Sequence, residues 1–150
     1  MARIQFELPE RFSFHTDIPL RPSHINHARH LDNAQLVVLV SEARLRFYQS
    51  LGYQDVDVEG TVAMVGDQLI QYLAEGMPGD VMRVEFQPQD FNRYGFDLAF
   101  RVTEARSGRE IARGKIGTVF VSLSTKKVTP VPLPLLQKLK TLNGDVAPDA

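Results

Sequence analysis

The chain has 150 residues, enough for one domain with one hydrophobic core, and 43% of them are hydrophobic, which argues against global disorder. Its formal charge of −1 gives no electrostatic case for nucleic acid or an anionic membrane as partner. With no cysteine, a disulfide framework, a thiolate nucleophile and any Cys-ligated zinc or iron–sulfur site are excluded.

The opening segment MARIQFELPERF is broken by Glu7 and Glu10 and has no apolar run suited to a signal peptide. Nothing later approaches the ~20 apolar residues that span a bilayer, so the expectation is a soluble, cytoplasmic protein. Phe12–Leu20 alternates as a first strand, with Pro19 marking an edge or an end. Pro22–Asp32 has no clean period and reads as a loop. Ala34–Leu51 is the long helix. Asp32 is a good N-cap with Gln35 three residues on, Gly52 supplies the stop, and Arg44 and Arg46 suit the C-terminal dipole. Its stretch Leu36-Val37-Val38-Leu39-Val40 is apolar all round, the pattern of an enclosed helix.

Four strands follow, at about Thr61–Leu73, Val81–Gln87, Arg93–Thr103 and Ile111–Leu123. Met82, Val84 and Phe86 alternate cleanly in one; Phe96, Leu98, Phe100 and Val102 do so in the next. Pro78-Gly79-Asp80 and Arg106-Ser107-Gly108 are hairpin turns. In the last strand Arg113 and Lys115 share parity with Val119 and Val121, which calls for a bulge or a two-sided environment. Pro130, Pro132 and Pro134 lead into a short helix, Leu135–Leu142, and residues 144–150 read as a flexible tail. The order predicts an α+β domain over 1–150: an antiparallel five-stranded sheet wrapped around one long central helix.

Three pieces of sequence carry a resemblance: HINHARHLDNAQLVVLVSEARLRFYQSLGY at His24–Tyr53, MPGD at Met77–Asp80, and ARGKIGTVFVSLSTKKVTPVP at Ala112–Pro132. In order and spacing the chain from about Phe12 to Leu142 resembles the 4-hydroxybenzoyl-CoA thioesterase-like branch of the hot-dog superfamily. The resemblance implies a thioesterase acting on a small or medium acyl-CoA or an acyl carrier protein, with no cofactor. It also implies dimers whose sheets join edge to edge, often paired into tetramers, with the site between subunits at the start of the central helix. By position, the loop acid that serves the family as base or nucleophile falls on Asn26, and the N–H that polarises the thioester carbonyl falls on Asn33. A frequent aspartate is His24 here, and a frequent glycine is Arg29.

Thioester hydrolysis needs a donor for the developing oxyanion and a group that activates water. The helix start offers the donor, since a capping Asp32 leaves the N–H of Asn33 at the positive end of the dipole. Asn26 can hold a carbonyl or a water but cannot act as base or nucleophile. Asp32 reads as an N-cap or a base. Glu42 reads as an ion pair with Arg46 or as a partly buried acid. His24, His27 and His30 have the spacing of a metal site, yet an irregular loop does not make them converge and no metal is expected; a histidine as general base suits neutral pH. His30 matches the family's loop histidine, whose role there is structural. The expected catalytic set is thus Asn26, His30, Asn33 and Glu42, with His24, His27, Arg29 and Asp32 near substrate. Arg29, Arg83, Arg93, Arg113 and Lys115 are the cations a CoA phosphate would meet. The competing readings are a non-catalytic acyl-thioester binder and an enoyl-CoA hydratase, whose Asp-x-Asn-Pro-x-His loop His24–His30 echoes without its Asp and Pro. A β-rich interaction module is the fourth.

Overall fold

The computed structural model describes residues 3–144, so the tail expected at 144–150 lies, apart from Gly144, outside the described residues. The elements run β1 (Phe14–Pro19), a 3-10 turn at Pro22–His24, α1 (Asn33–Ser50), β2 (Thr61–Tyr72), β3 (Val81–Asn92), β4 (Gly95–Glu104), β5 (Glu110–Ser122) and α2 (Leu133–Leu142). All neighbouring strands are antiparallel, in the order β1-β3-β4-β5-β2.

The periodicities explain the layers. Met82, Val84 and Phe86 of β3 and Phe96, Leu98, Phe100 and Val102 of β4 point to one face, and α1 lays Leu36, Leu39, Val40, Ala43 and Phe47 on it. Phe14, Phe47 and Phe86 meet there with ring centroids 5.4–6.1 Å apart, in edge-to-face and stacked pairs. The short helix α2 closes one end. It buries Leu135 and Leu139, and Lys138 Nζ donates to Leu51 O at 2.9 Å while lying over the Tyr53 ring.

Two expectations need correction, and the one for the last strand is met. The strand expected to end at Gln87 runs on to Asn92 through Pro88. β1 pairs with β3 only as far as Phe86, so beyond that point β3 is an edge and Pro88 needs no N–H on its open side. The last strand keeps one phase from Ala112 to Phe120: a register shift falls before Ala112, and the face carrying Arg113, Lys115 and Val119 is half-buried. Finally, α1 is not enclosed. The sheet covers one side of it, while Val38 and Leu45 on the other remain 50% and 54% exposed. An apolar-all-round stretch calls for cover on most sides, and one chain supplies it on one.

β2 is the other outer strand. A bulge at Gly66 interrupts its register with β5. Gly60 O accepts from Leu123 N, so by alternation the C=O of Ala63 faces the free edge, where Arg44 Nη1 donates to it at 3.3 Å.

Candidate active site

The loop before α1 is held by its own backbone. Ile25 and Leu31 form an isolated bridge, Asn26 N donates to His30 O at 2.9 Å, and Arg29 N donates to Asn26 O at 2.9 Å. The side-chain Oδ1 of Asn26 accepts from Ala28 N at 3.0 Å and from His30 N at 3.3 Å. This is an Asx-type closure, and it makes Asn26 the clasp of the turn. Arg29 sits in the left-handed region at φ 67°, the conformation that makes glycine the natural residue there. His27 and Arg29 are exposed at the turn's tip.

His24 is 2% exposed. Its Nδ1 accepts from Arg21 N at 3.0 Å, so the neutral ring carries its proton on Nε2. Burial first, and then the charge of Arg21, hold its pKa below the ordinary histidine value, against the pull of Glu42. His24 is therefore a neutral strut under the loop: its own C=O accepts from Asp32 N at 2.9 Å.

Asp32 caps α1 through Oδ2, which accepts from Ala34 N at 2.9 Å and Gln35 N at 3.3 Å. The N–H of Asn33 meets no acceptor among the described residues, and Asn33 itself is exposed. The first amide of an 18-residue helix thus remains free at the positive end of its dipole. Tyr72, at the end of β2, donates its hydroxyl to Asn33 O at 3.0 Å. Burial and the charge of Asp32 push the Tyr72 pKa up, so the phenol stays a donor. Sequence reasoning did not single out Tyr72; a strand-end aromatic signals only its alternation.

Glu42 does not join this group. It lies nine residues beyond Asn33, about 13 Å along the helix axis. Arg21 Nη2 reaches its Oε2 at 2.7 Å and Arg46 Nη2 its Oε1 at 3.2 Å, while Arg46 Nη1 also donates to Thr16 Oγ1 at 2.9 Å. Chiefly through the Arg21 hydrogen bond, the Glu42 pKa falls below the ordinary carboxylate range. Glu42 is an ionised tie between loop, β1 and helix, in place of the raised-pKa acid that the sequence left open.

His30 has a partner that the sequence did not suggest. Leu31 N donates to Gly76 O at 2.8 Å, which draws the segment after β2 against the loop, and His30 Nε2 lies 3.2 Å from Glu75 Oε2. Leu31 packs against the core, and its neighbours His30 and Asp32 are both half-buried. The three histidines do not converge: among the described residues no group of three His, Cys, Asp or Glu side chains is placed to hold a metal.

Of the cations proposed for a phosphate, Arg83 is paired with Asp17, Arg113 with Glu110, and Lys115 with Asp67 and Asp97, whereas Arg93 lies over the Tyr94 ring. Arg29 has no ion-pair partner among the described residues. An open groove of about 820 Å³ begins at Val37, one turn past Asn33, and runs between the uncovered side of α1 and the start of β2. Val38, Leu45, Tyr48, Val58, Met64 and Val65 line it. No helix among the described residues is long and apolar enough to cross a membrane.

Comparison with known proteins places this architecture. The model of the thioesterase-like superfamily matches residues 20–139. A protein from Staphylococcus aureus in complex with CoA superposes with a TM-score of 0.80, at 16% identity over 97% of this chain and 92% of that one. A gentisyl-coenzyme A thioesterase gives 0.74 at 16% identity, over 84% of this chain and 99% of that one. A 1,4-dihydroxy-2-naphthoyl-CoA thioesterase from Synechocystis gives 0.70 at 18% identity, over 87% and 97%. At such identities the likeness is one of fold. No curated protein sequence matches the chain.

Proposed function

The chain belongs to the thioesterase-like superfamily, and on that premise we propose that it hydrolyses the thioester of a small or medium acyl-CoA, or of an acyl carrier protein, at the start of α1. Within the superfamily the loop and helix from His24 to Tyr53 resemble the 4-hydroxybenzoyl-CoA thioesterase-like branch. The observation that carries the reading is the free N–H of Asn33, beside an Asp32 whose carboxylate already holds the next two amides.

The thioester carbonyl oxygen accepts from Asn33 N–H, and the helix dipole favours the charge that develops on it. Water attacks the carbonyl carbon while His30 takes its proton. The tetrahedral intermediate then expels the thiolate, which receives that proton from His30 and leaves as free thiol beside the acid. The acyl group extends from Asn33 into the groove along α1, and the exposed Arg29 and His27 face the carrier's polar end. Asn26 clasps the turn that holds His30.

The active unit in this reading is a homodimer, or a tetramer built from dimers. The uncovered side of α1 carries Val38 and Leu45, and the neighbouring edge of β2 carries Met64 and Val65, all at least 40% exposed. A helix apolar on all sides is ordinarily buried, and a second copy across the β2 edge provides the cover. A stable dimer or larger species by light scattering at micromolar concentration is expected for the native chain, and a shift toward monomer for Leu45→Glu. A native monomer refutes it.

The test of activity is a panel of short, medium, long and aromatic acyl-CoAs with free-thiol detection. Turnover on at least one is expected. A second reading, a non-catalytic acyl-thioester binder, draws on Asn26 standing where the family has an acid; binding of CoA esters with no thiol released from any of them would favour it.

A further inference from the structure

The geometry points to Glu75 as the residue that orients His30 for proton transfer, an inference that rests on the hydrolytic reading for its consequence but not for its geometry. The two residues are 45 positions apart, and both are fixed by backbone contacts. On one side, Asn26 holds His30 twice, accepting from its N–H through Oδ1 and donating from its own N–H to His30 O. On the other, Arg109 Nη2 donates to Glu75 O at 3.1 Å and to Asp80 Oδ2 at 2.9 Å, and the next residue, Gly76, accepts from Leu31 N. Gly76 lies so close to Leu31 that a Cβ there would press on its side chain. The pinned backbones bring His30 Nε2 and Glu75 Oε2 to 3.2 Å.

Stability does not account for the contact. The Glu75 side chain is 68% exposed and that of His30 is 33% exposed, and an ion pair so wet is worth little. Orientation does account for it. The two groups stand at ion-pair distance, and a neutral imidazole whose Nε2–H turns to that carboxylate keeps its lone pair on Nδ1, which meets no partner among the described residues. Nδ1 is then the atom that takes the proton of the attacking water and returns it to the departing sulfur. The turn that presents it leads within three residues to the free N–H of Asn33, so the base and the oxyanion donor stand on one short stretch of chain. Glu75 is a positioning residue: it touches the base and not the substrate.

Two readouts test this. In the first, the proton-bearing nitrogen of His30 is identified by long-range ¹H–¹⁵N correlation. The native chain should show the Nε2–H tautomer, and Glu75→Ala should show a mixture of tautomers. Glu75→Gln, whose amide oxygen still accepts, should restore the single form. In the second, kcat and KM are measured on whichever acyl-CoA the panel identifies. Glu75→Ala should lower kcat about 10-fold or more with KM unchanged, a part of the ~10²–10⁴ that a positioned base contributes. Glu75→Gln should recover most of the loss, and the Glu75→Ala, His30→Ala double variant should be no slower than His30→Ala alone. An unchanged kcat in Glu75→Ala, losses that multiply in the double variant, or an Nδ1–H tautomer in the native chain overturns the inference. If His30 holds Nε2–H through Glu75 and no acyl thioester is turned over, the positioning stands and the hydrolytic reading falls.

Discussion

Glu42 and Glu75 are both glutamates set against the same loop and helix, and they show how different the two regions are. Around Glu42 the carboxylate is answered twice: two guanidinium groups hold it, and one of those reaches on to β1. Around Glu75 a single imidazole faces a largely exposed carboxylate, one of the imidazole's nitrogens is unengaged, and an unpaired amide lies at the nearby helix start. The first region is saturated and therefore structural. The second leaves hydrogen-bonding capacity open toward solvent, which is what a substrate needs to find.

The sharpest way to break this contrast is to remove the open amide itself. Asn33 is the first helical residue, where proline fits the backbone, and Asp32 already has the extended conformation that a following proline requires. Asn33→Pro should therefore keep the fold and lower kcat by about 10²–10³-fold, while Asn33→Ala, which retains the N–H, should stay close to the native rate; equal rates for the two would remove the oxyanion role. A smaller effect of another kind is expected one residue earlier. Asp32→Ala should lower stability by about 1 kcal/mol in chemical denaturation and leave kcat largely in place, because its carboxylate serves Ala34 and Gln35 and not Asn33.

The smallest effect belongs to the saturated region. Glu42→Gln should lower stability at neutral pH by about 0.5 kcal/mol, since Arg21 and Arg46 are wet enough for solvent to screen most of the attraction. The sign with pH follows from the lowered Glu42 pKa. The native pair contributes fully above the ordinary carboxylate pKa and is lost as pH falls through the lowered value. The gap in Tm between native and Glu42→Gln protein should therefore close on acidification, and a gap that widens would mean that Glu42 is not held ionised.

How much of this was legible in the sequence depends on how local each feature is. The strands and α1 were readable because alternation and capping are written in neighbouring residues: Asp32 caps as read, and α1 begins one residue before the expected Ala34. The position of Asn26 was readable, but its work as the turn's clasp was not, because that requires knowing that the chain doubles back within five residues. Glu75 was beyond reach. Its tie to His30 runs through Leu31 and Gly76, residues that carry no chemical signal of their own. The apolar stretch around Val38 misled for another reason: an apolar surface states that it needs cover and not which chain provides it.

The Arg44 side chain on the edge carbonyl of Ala63 has a consequence for how copies of this chain meet in a crowded solution. An unprotected strand edge accepts any extended segment that drifts past. This one is latched at Ala63 and kinked at Gly66, so a strand lying along its full length must displace a guanidinium and follow a bulge. An extended segment that does neither finds the edge partly shut, and a copy that pairs along it must do both.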